Sequence, residues 1–217
     1  YISYSGIFNL RDNAKLINNE KVGNSRSYVL DSTICKRFGG AGVLITNGTF
    51  NMYGGEISGC ASNSTNLDTD TDSDDYMVST LGGAICNYQS NFNMYGGLIA
   101  ANESYYGGAL MNYGISNIYS GTLSHNSSSH AGGTIYQYPS TLCSLTVGDS
   151  ELEEGIYNVT FDSNTSSSYA GAIYASYRGT IEVIGGVKFV NNVSSSTGGA
   201  IRTNNYINIE GDNMKKI

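Results

Sequence analysis

The densest cluster of side chains able to do chemistry is acidic. Asp68, Asp70, Asp72, Asp74 and Asp75 fall on nearly alternate positions of one segment. That is how the opening of a calcium loop gathers carboxylate oxygens around a hard cation. An EF-hand starting at Asp68 needs Gly where Ser73 stands and Glu where Ser79 stands. The expectation is therefore either Ca2+ held by Asp68, Asp70 and Asp72 or a solvated acidic loop, with no other cofactor. Glu151, Glu153 and Glu154 also cluster, but within one segment, whereas glycoside hydrolysis needs two carboxylates about 5–9.5 Å apart across a bond. Asp162 and Glu182 are isolated. A lyase needs a base beside a calcium-bound acid, and Arg178, Lys188 and Arg202 lie far along the chain from the Asp segment. His125 and His130 flank a serine run with no acid nearby to orient them. No catalytic residue is assigned, and the chain is expected not to be an enzyme.

Tyrosine and asparagine offer a different chemistry. Asn51, Asn93 and Asn117, with Asn208, recur at one point of a repeated strand, and Tyr53, Tyr95 and Tyr119 recur two residues later. A flat stripe of rings flanked by amides can stack on sugar rings and hydrogen-bond their hydroxyls. The competing explanation is that like-on-like stacking supports the sheet by itself. A second row, Tyr88, Tyr113 and Tyr138, extended by Tyr177 and Tyr206, is expected at a bend.

The composition narrows the partners. The chain has 217 residues and a net charge of −7, with charged residues at 13% and hydrophobic ones at 40%. An acidic surface does not neutralise phosphates, so no nucleic acid is expected, nor adsorption to an anionic membrane. No apolar run reaches the roughly 20 residues of a membrane span, so no membrane insertion is expected in this segment. The content is too apolar and aromatic for disorder. Asn-x-Ser/Thr sequons at Asn47, Asn63, Asn102, Asn126, Asn158, Asn164 and Asn192 would mark a glycosylated surface if the source is eukaryotic. Cys35, Cys60, Cys86 and Cys143 lack CxxC spacing, which disfavours zinc. They form one or two disulfides or serve as small buried hydrophobes.

The elements that must position these residues come from a repeat. Gly-Gly-Ala-(Ile/Leu) begins at Gly82 and returns at Gly107, as Gly132-Gly133-Thr134-Ile135, as Ala170 to Ile173 and at Gly198; Gly39 to Gly42 is a weaker copy. Between these copies lies an alternating strand, then Gly, then an apolar residue followed three later by Asn. It begins at Phe50, Phe92 and Ser116, and ends in Phe161-Asp162-Ser163-Asn164 and Phe189-Val190-Asn191-Asn192. Leu16 to Asn19 is a divergent first copy. Two motifs in constant phase predict an all-β fold, a single-stranded right-handed parallel β-helix (solenoid) of about seven rungs at roughly 25 residues each. Strands pair with their equivalents one rung on, about 4.8 Å away. Ile85, Leu110, Ile135, Ile173 and Ile201 form an aliphatic ladder. Phe50, Phe92, Ile181 and Ile207 share the inner face with Met52, Met94, Ile118, Val183 and Ile209. The whole of 1–217 is read as one domain, with loop insertions near 59–81 and 147–157. Tyr1 in place of an initiator Met, and a last rung without a cap, suggest a piece of a longer surface protein.

The phased GGA(I/L) and FxxN motifs resemble the chlamydial polymorphic outer-membrane protein repeats. Phe189 to Asn192 followed by Gly198 to Ile201 is the best example; Phe161 to Asn164 followed by Gly171 to Ile173 is the next. The repeat is also similar to those of large adhesin-like proteins of gut bacteria and archaea and of surface proteins of some protozoan parasites. The resemblance implies a right-handed β-helix displayed at a cell surface or extracellularly, often in adhesion. Ile57, Ile99 and Leu123 depart from the motif by lacking its Phe. Three functions follow as expectations. The first is an adhesin-like display module touching a glycan or a surface protein along one ladder face. The second is a structural spacer or filament subunit that self-associates through its solenoid ends. The third is a carbohydrate-active enzyme, either a polysaccharide lyase or a glycoside hydrolase.

Overall fold

A computed structural model describes residues 1–3, 5–22, 40–63, 82–149, 158–176, 178–204 and 207–209. These residues form strands that pair in parallel with their equivalents in the neighbouring turn, giving one 12-stranded and two 6-stranded sheets. The parallel β-solenoid expected from the two phased motifs is the fold.

Each turn crosses the broad sheet first. Its main path runs from Ile2–Ser3 through Val43–Thr46, Ile85–Met94, Leu110–Ile118, Ile135–Gln137 and Ile173–Ala175 to Ile201–Thr203. Strands such as Thr49–Met52, Ser144–Val147 and Thr180–Val183 widen it. In Ile85–Met94 and Leu110–Ile118 the two halves fuse into single strands of 10 and 9 residues. The chain then enters the second sheet, which includes Glu56–Ser58, Leu98–Ala100, Gly121–Ser124 and Val159–Asp162, and the third, which includes Ala61–Asn63, Glu103–Tyr106 and Ser127–Ala131.

The register places the expected ladders. Ile85, Leu110, Ile135, Ile173 and Ile201 pair in succession, and all but the half-buried Ile201 are buried. Phe8, Phe50 and Phe92 pack on one another inside, with ring centroids 5.1 and 5.3 Å apart. Phe161 and Phe189 do the same at 4.9 Å in the second sheet, in line with Ile57, Ile99 and Leu123. Aliphatic residues therefore fill the Phe position of the motif without breaking the ladder. No rung closes a core alone, so this stacking is the source of cohesion.

The paired glycines divide two tasks. The first has positive φ at Gly82 (69°), Gly107 (63°), Gly132 (65°) and Gly198 (72°), and Ala170 takes the same conformation at 55°. The second sits against the next turn: a Cβ on Gly108 would meet the carbonyl oxygens of Gly133 and Ser127, and one on Gly133 those of Gly171 and Thr165. The motif thus needs a left-handed residue and then a residue without a side chain.

The FxxN asparagine has an internal role. The Nδ2 of Asn102 donates to Asn126 Oδ1 (2.9 Å), that of Asn126 to Asn164 Oδ1 (3.0 Å) and that of Asn164 to Asn192 Oδ1 (2.9 Å). Each Nδ2 also donates to a carbonyl of the preceding turn: Ile57, Ile99 and Leu123 in order. The backbone N–H of Asn102 and of Asn126 donates to the same Oδ1 atoms at 3.1 and 3.0 Å. The amides satisfy the backbone where the second sheet bends into the third, just after a left-handed residue such as Ala101 (54°) or His125 (55°).

The turns are unequal. Successive partners at this corner are separated by 41 (Asn19 to Cys60), 42 (Cys60 to Asn102), 24, 38 and 28 residues. The first turn is therefore as extended as the second, which the sequence reading did not anticipate. Where insertions are expected, near 59–81 and 147–157, the first residues belong to regular strands. Ala61–Asn63 is a strand of the third sheet, and Val147 ends a strand of the broad one. Residues 64–81 and 150–157 lie outside the described residues.

Candidate functional site

The outer side of the broad sheet carries two parallel columns set by its register. Asn9, Asn51, Asn93 and Asn117 align, and each amide donates to the one before: Asn51 to Asn9 at 3.0 Å, Asn93 to Asn51 at 2.9 Å, Asn117 to Asn93 at 2.9 Å. Two residues on, Tyr53 and Tyr95 stack at 5.0 Å and 9°, and Tyr95 and Tyr119 at 5.2 Å and 19°. Tyr53 and Tyr95 are 42% and 44% exposed. The guanidinium of Arg11 lies over the Tyr53 ring at 4.1 Å. Burial first, and then the charges of Tyr119 and Tyr53, raise the Tyr95 hydroxyl above its ordinary pKa.

The structure thus brings together the six residues singled out, with a change in what they present. The rings stack on one another, so both faces of Tyr95 are covered, and Tyr53 lies between Tyr95 and Arg11. The stripe shows ring edges and hydroxyls rather than a pavement of faces. Asn208 belongs to the same column in register but is separated from Asn117 by Thr146 and Glu182. The amide row therefore ends at Asn117.

The second row is present as Tyr88, Tyr113 and Tyr138, with centroids 4.9 and 4.5 Å apart. Tyr177 and Tyr206 lie outside the described residues, as do Asp68, Asp70, Asp72 and Cys35. Cys60, Cys86 and Cys143 are buried, and no disulfide joins them to one another; burial pushes the Cys143 thiol up to about 11. Of the sequons, Asn102, Asn126 and Asn164 are buried and their Nδ2 atoms are engaged inside the solenoid. A glycan on those nitrogens has no room, so the glycosylation expectation is withdrawn for these three. The Nδ2 of Asn192 likewise donates to Phe161 at 2.9 Å. Asn47 is exposed and Asn158 is half-buried, while the side chain of Asn63 lies outside the described residues.

Sequence reasoning missed an aromatic cluster at the glycine corner. Tyr105, Tyr106, His130, Tyr136, Tyr169 and Tyr174 pack together there, the closest centroids being those of Tyr106 and Tyr136 at 4.5 Å. Arg202 covers the Tyr169 ring at 3.8 Å. The signal that could have found it is the residue on each side of the Gly-Gly-Ala-Ile string: Tyr106, Tyr169, Tyr136 and Tyr174. Burial, with a smaller contribution from neighbouring phenols, raises Tyr106 to about 12. Burial also lowers the His130 pKa, and its Nδ1 is buried without a hydrogen bond.

Among the described residues no three His, Cys, Asp or Glu side chains gather as a metal site. No helix there is long and apolar enough to cross a membrane. Residues 158–176 match the Chlamydia polymorphic membrane protein repeat. The matched segment holds Phe161 to Asn164, Asn164 of the buried amide ladder among them, and the corner from Ala170 to Ile173. The repeat is one of surface-associated, adhesin-like proteins, which fits display at a cell surface. No curated protein and no solved structure matches the chain.

Proposed function

We propose that the chain is a non-enzymatic, adhesin-like module that displays the Tyr53–Tyr95–Tyr119 stripe and its flanking amides to a glycan at the cell surface. The observation that carries the reading is the ordered exposure of that stripe. Three phenols are held about one rung apart beside a continuous amide row, on a scaffold bearing a surface-protein repeat. Inter-rung pairing already constrains these side chains, so little of their rotamer entropy is left to lose on binding. Hydroxyl edges and amides repeated along a rigid axis suit an extended saccharide, whose hydroxyls also repeat.

A glycan array probed with the chain and with a Tyr53→Ala, Tyr95→Ala, Tyr119→Ala variant tests this. Binding to a defined set of glycans, lost in the variant, is expected. Binding to none overturns the glycan reading. The outward amides are already bonded to one another, which favours a rigid spacer as the second reading. Ordered filaments in electron micrographs of the purified chain, without glycan binding, would select it.

A further inference from the structure

The turns of the solenoid are held together by hydrogen bonds and stacked side chains, and no disulfide joins Cys60, Cys86 and Cys143 to one another. Tyrosine offers another route to a covalent bond between turns, because two phenols can couple through the ring carbons beside their hydroxyls. Such coupling needs two rings in adjacent turns, held close, with those edges open to an oxidant. Among the described tyrosine pairs, Tyr53 with Tyr95 meets all three conditions. Their centroids are 5.0 Å apart and their planes differ by 9°. They are 42% and 44% exposed. Because the rings stack face to face, what they expose is the edge that carries Oη and the Cε carbons.

The backbone fixes the pair. The Tyr53 N–H donates to the Leu10 carbonyl at 2.9 Å and the Tyr95 N–H to the Met52 carbonyl at 2.7 Å. The strands leading to them are in register from Thr49 opposite Asn91 to Met52 opposite Met94. A rotation of each ring about its Cβ–Cγ bond sets the Cε edges side by side and leaves this backbone where it is. Other pairs fall short. Tyr88 and Tyr106 are 5% exposed, which shields the pairs they make with Tyr113 and Tyr136. Tyr113 and Tyr138 are half-buried with planes 58° apart. Tyr169 and Tyr174 are half-buried under Arg202. Tyr119, half-buried beside Tyr95 at 5.2 Å and 19°, is the nearest competitor.

We propose that Tyr53 and Tyr95 are an oxidative cross-linking site, where a Cε–Cε bond (dityrosine) staples two neighbouring turns. The oxidant is hydrogen peroxide acting through a haem peroxidase. Each phenol gives up one electron and its hydroxyl proton. The two phenoxyl radicals join Cε to Cε, and the hydrogens on those carbons move to the oxygens, which restores both hydroxyls. The two electrons and two protons released reduce one peroxide to two waters. Neighbours held by the fold couple in a unimolecular step, ahead of encounters between chains. Tyr53 and Tyr95 lie 42 residues apart, as Asn51 and Asn93 do. The bond therefore closes a long loop and removes chain entropy from the unfolded state. The site is independent of the glycan reading, since a chain that binds no sugar can still be stapled.

The test is oxidation of the whole chain, kept dilute, with a haem peroxidase and hydrogen peroxide, read by dityrosine fluorescence and by mass-spectrometric peptide mapping. The main product is expected to be a monomer whose Tyr53 and Tyr95 peptides are joined, lighter by two hydrogens. Its melting temperature is expected to rise above that of the unoxidised chain. Tyr53→Phe keeps a ring in the stack but removes the hydroxyl whose oxidation starts the coupling, so both the joined peptides and the rise should be lost. Tyr138→Phe should keep both. Melting temperatures measured before oxidation verify that the variants fold. Dityrosine formed chiefly between chains, or chiefly at Tyr95 with Tyr119 or Tyr113 with Tyr138, overturns the proposal. So does a chain that forms none. A Tyr53–Tyr95 bond with no rise in melting temperature overturns the stapling role.

Discussion

Two asparagine ladders run along this solenoid, one inside and one outside. Asn102, Asn126, Asn164 and Asn192 turn inward at a bend, whereas Asn9, Asn51, Asn93 and Asn117 stand on an outer face. Both chains of amide bonds are 2.9–3.0 Å long, so geometry alone does not separate them. Their surroundings do. The inner amides also satisfy backbone carbonyls and N–H groups that no water reaches. The outer ones compete with solvent, where a hydrogen bond is worth little net. Identical side chains in identical chains of bonds thus hold the fold together at one place and remain disposable to it at the other. Disposable groups on a rigid face are the ones a ligand can use.

Removing one rung of each ladder is the sharpest way to break this comparison. Asn126→Ala should lower unfolding free energy by about 3–5 kcal/mol in urea titrations, since it strands buried donors and acceptors on both sides. A loss near that of an exposed site would sink the distinction. Glycosylation should sort the ladders next. On expression in a glycosylating host, peptide mapping should find glycan at Asn47 and none at Asn102, Asn126 or Asn164. Occupancy at any of the three would mean that the inner ladder opens. A smaller effect is expected on acidification. The pKa of His130 is depressed by burial, so the folded state prefers the neutral ring, and stability is lost as pH falls below about 6.5 toward the folded pKa. The melting temperature should drop across that window, and His130→Gln should flatten the drop. Smallest of all, Asn93→Ala should cost no more than about 0.5 kcal/mol.

Much of the fold was legible because its determinants are local or periodic. Gly82 to Ile85 and its copies announce a corner by their own backbone needs, and Phe50 with Met52 announces an inner face by alternation. The FxxN asparagine was visible as a motif but not as a buried ladder. Asn102 and Asn47 look alike as sequons, and only partners from other turns tell them apart. The Tyr53, Tyr95 and Tyr119 stripe was found by spacing, but the orientation of its rings was not. Stacking one rung apart turns their faces along the axis and their edges outward. The long first turn escaped notice because its Gly39 to Gly42 copy is weak.

By itself, the sequence determined that a rung exists, that it repeats, and which residues alternate inward, because φ preferences and a period of two act within a few residues. Only the tertiary structure decided which asparagines are buried and where the tyrosine stack ends. Those outcomes depend on what lies one rung above and below, on residues 24 to 42 positions away in the chain. At that distance, burial and hydrogen bonding are properties of the assembled stack.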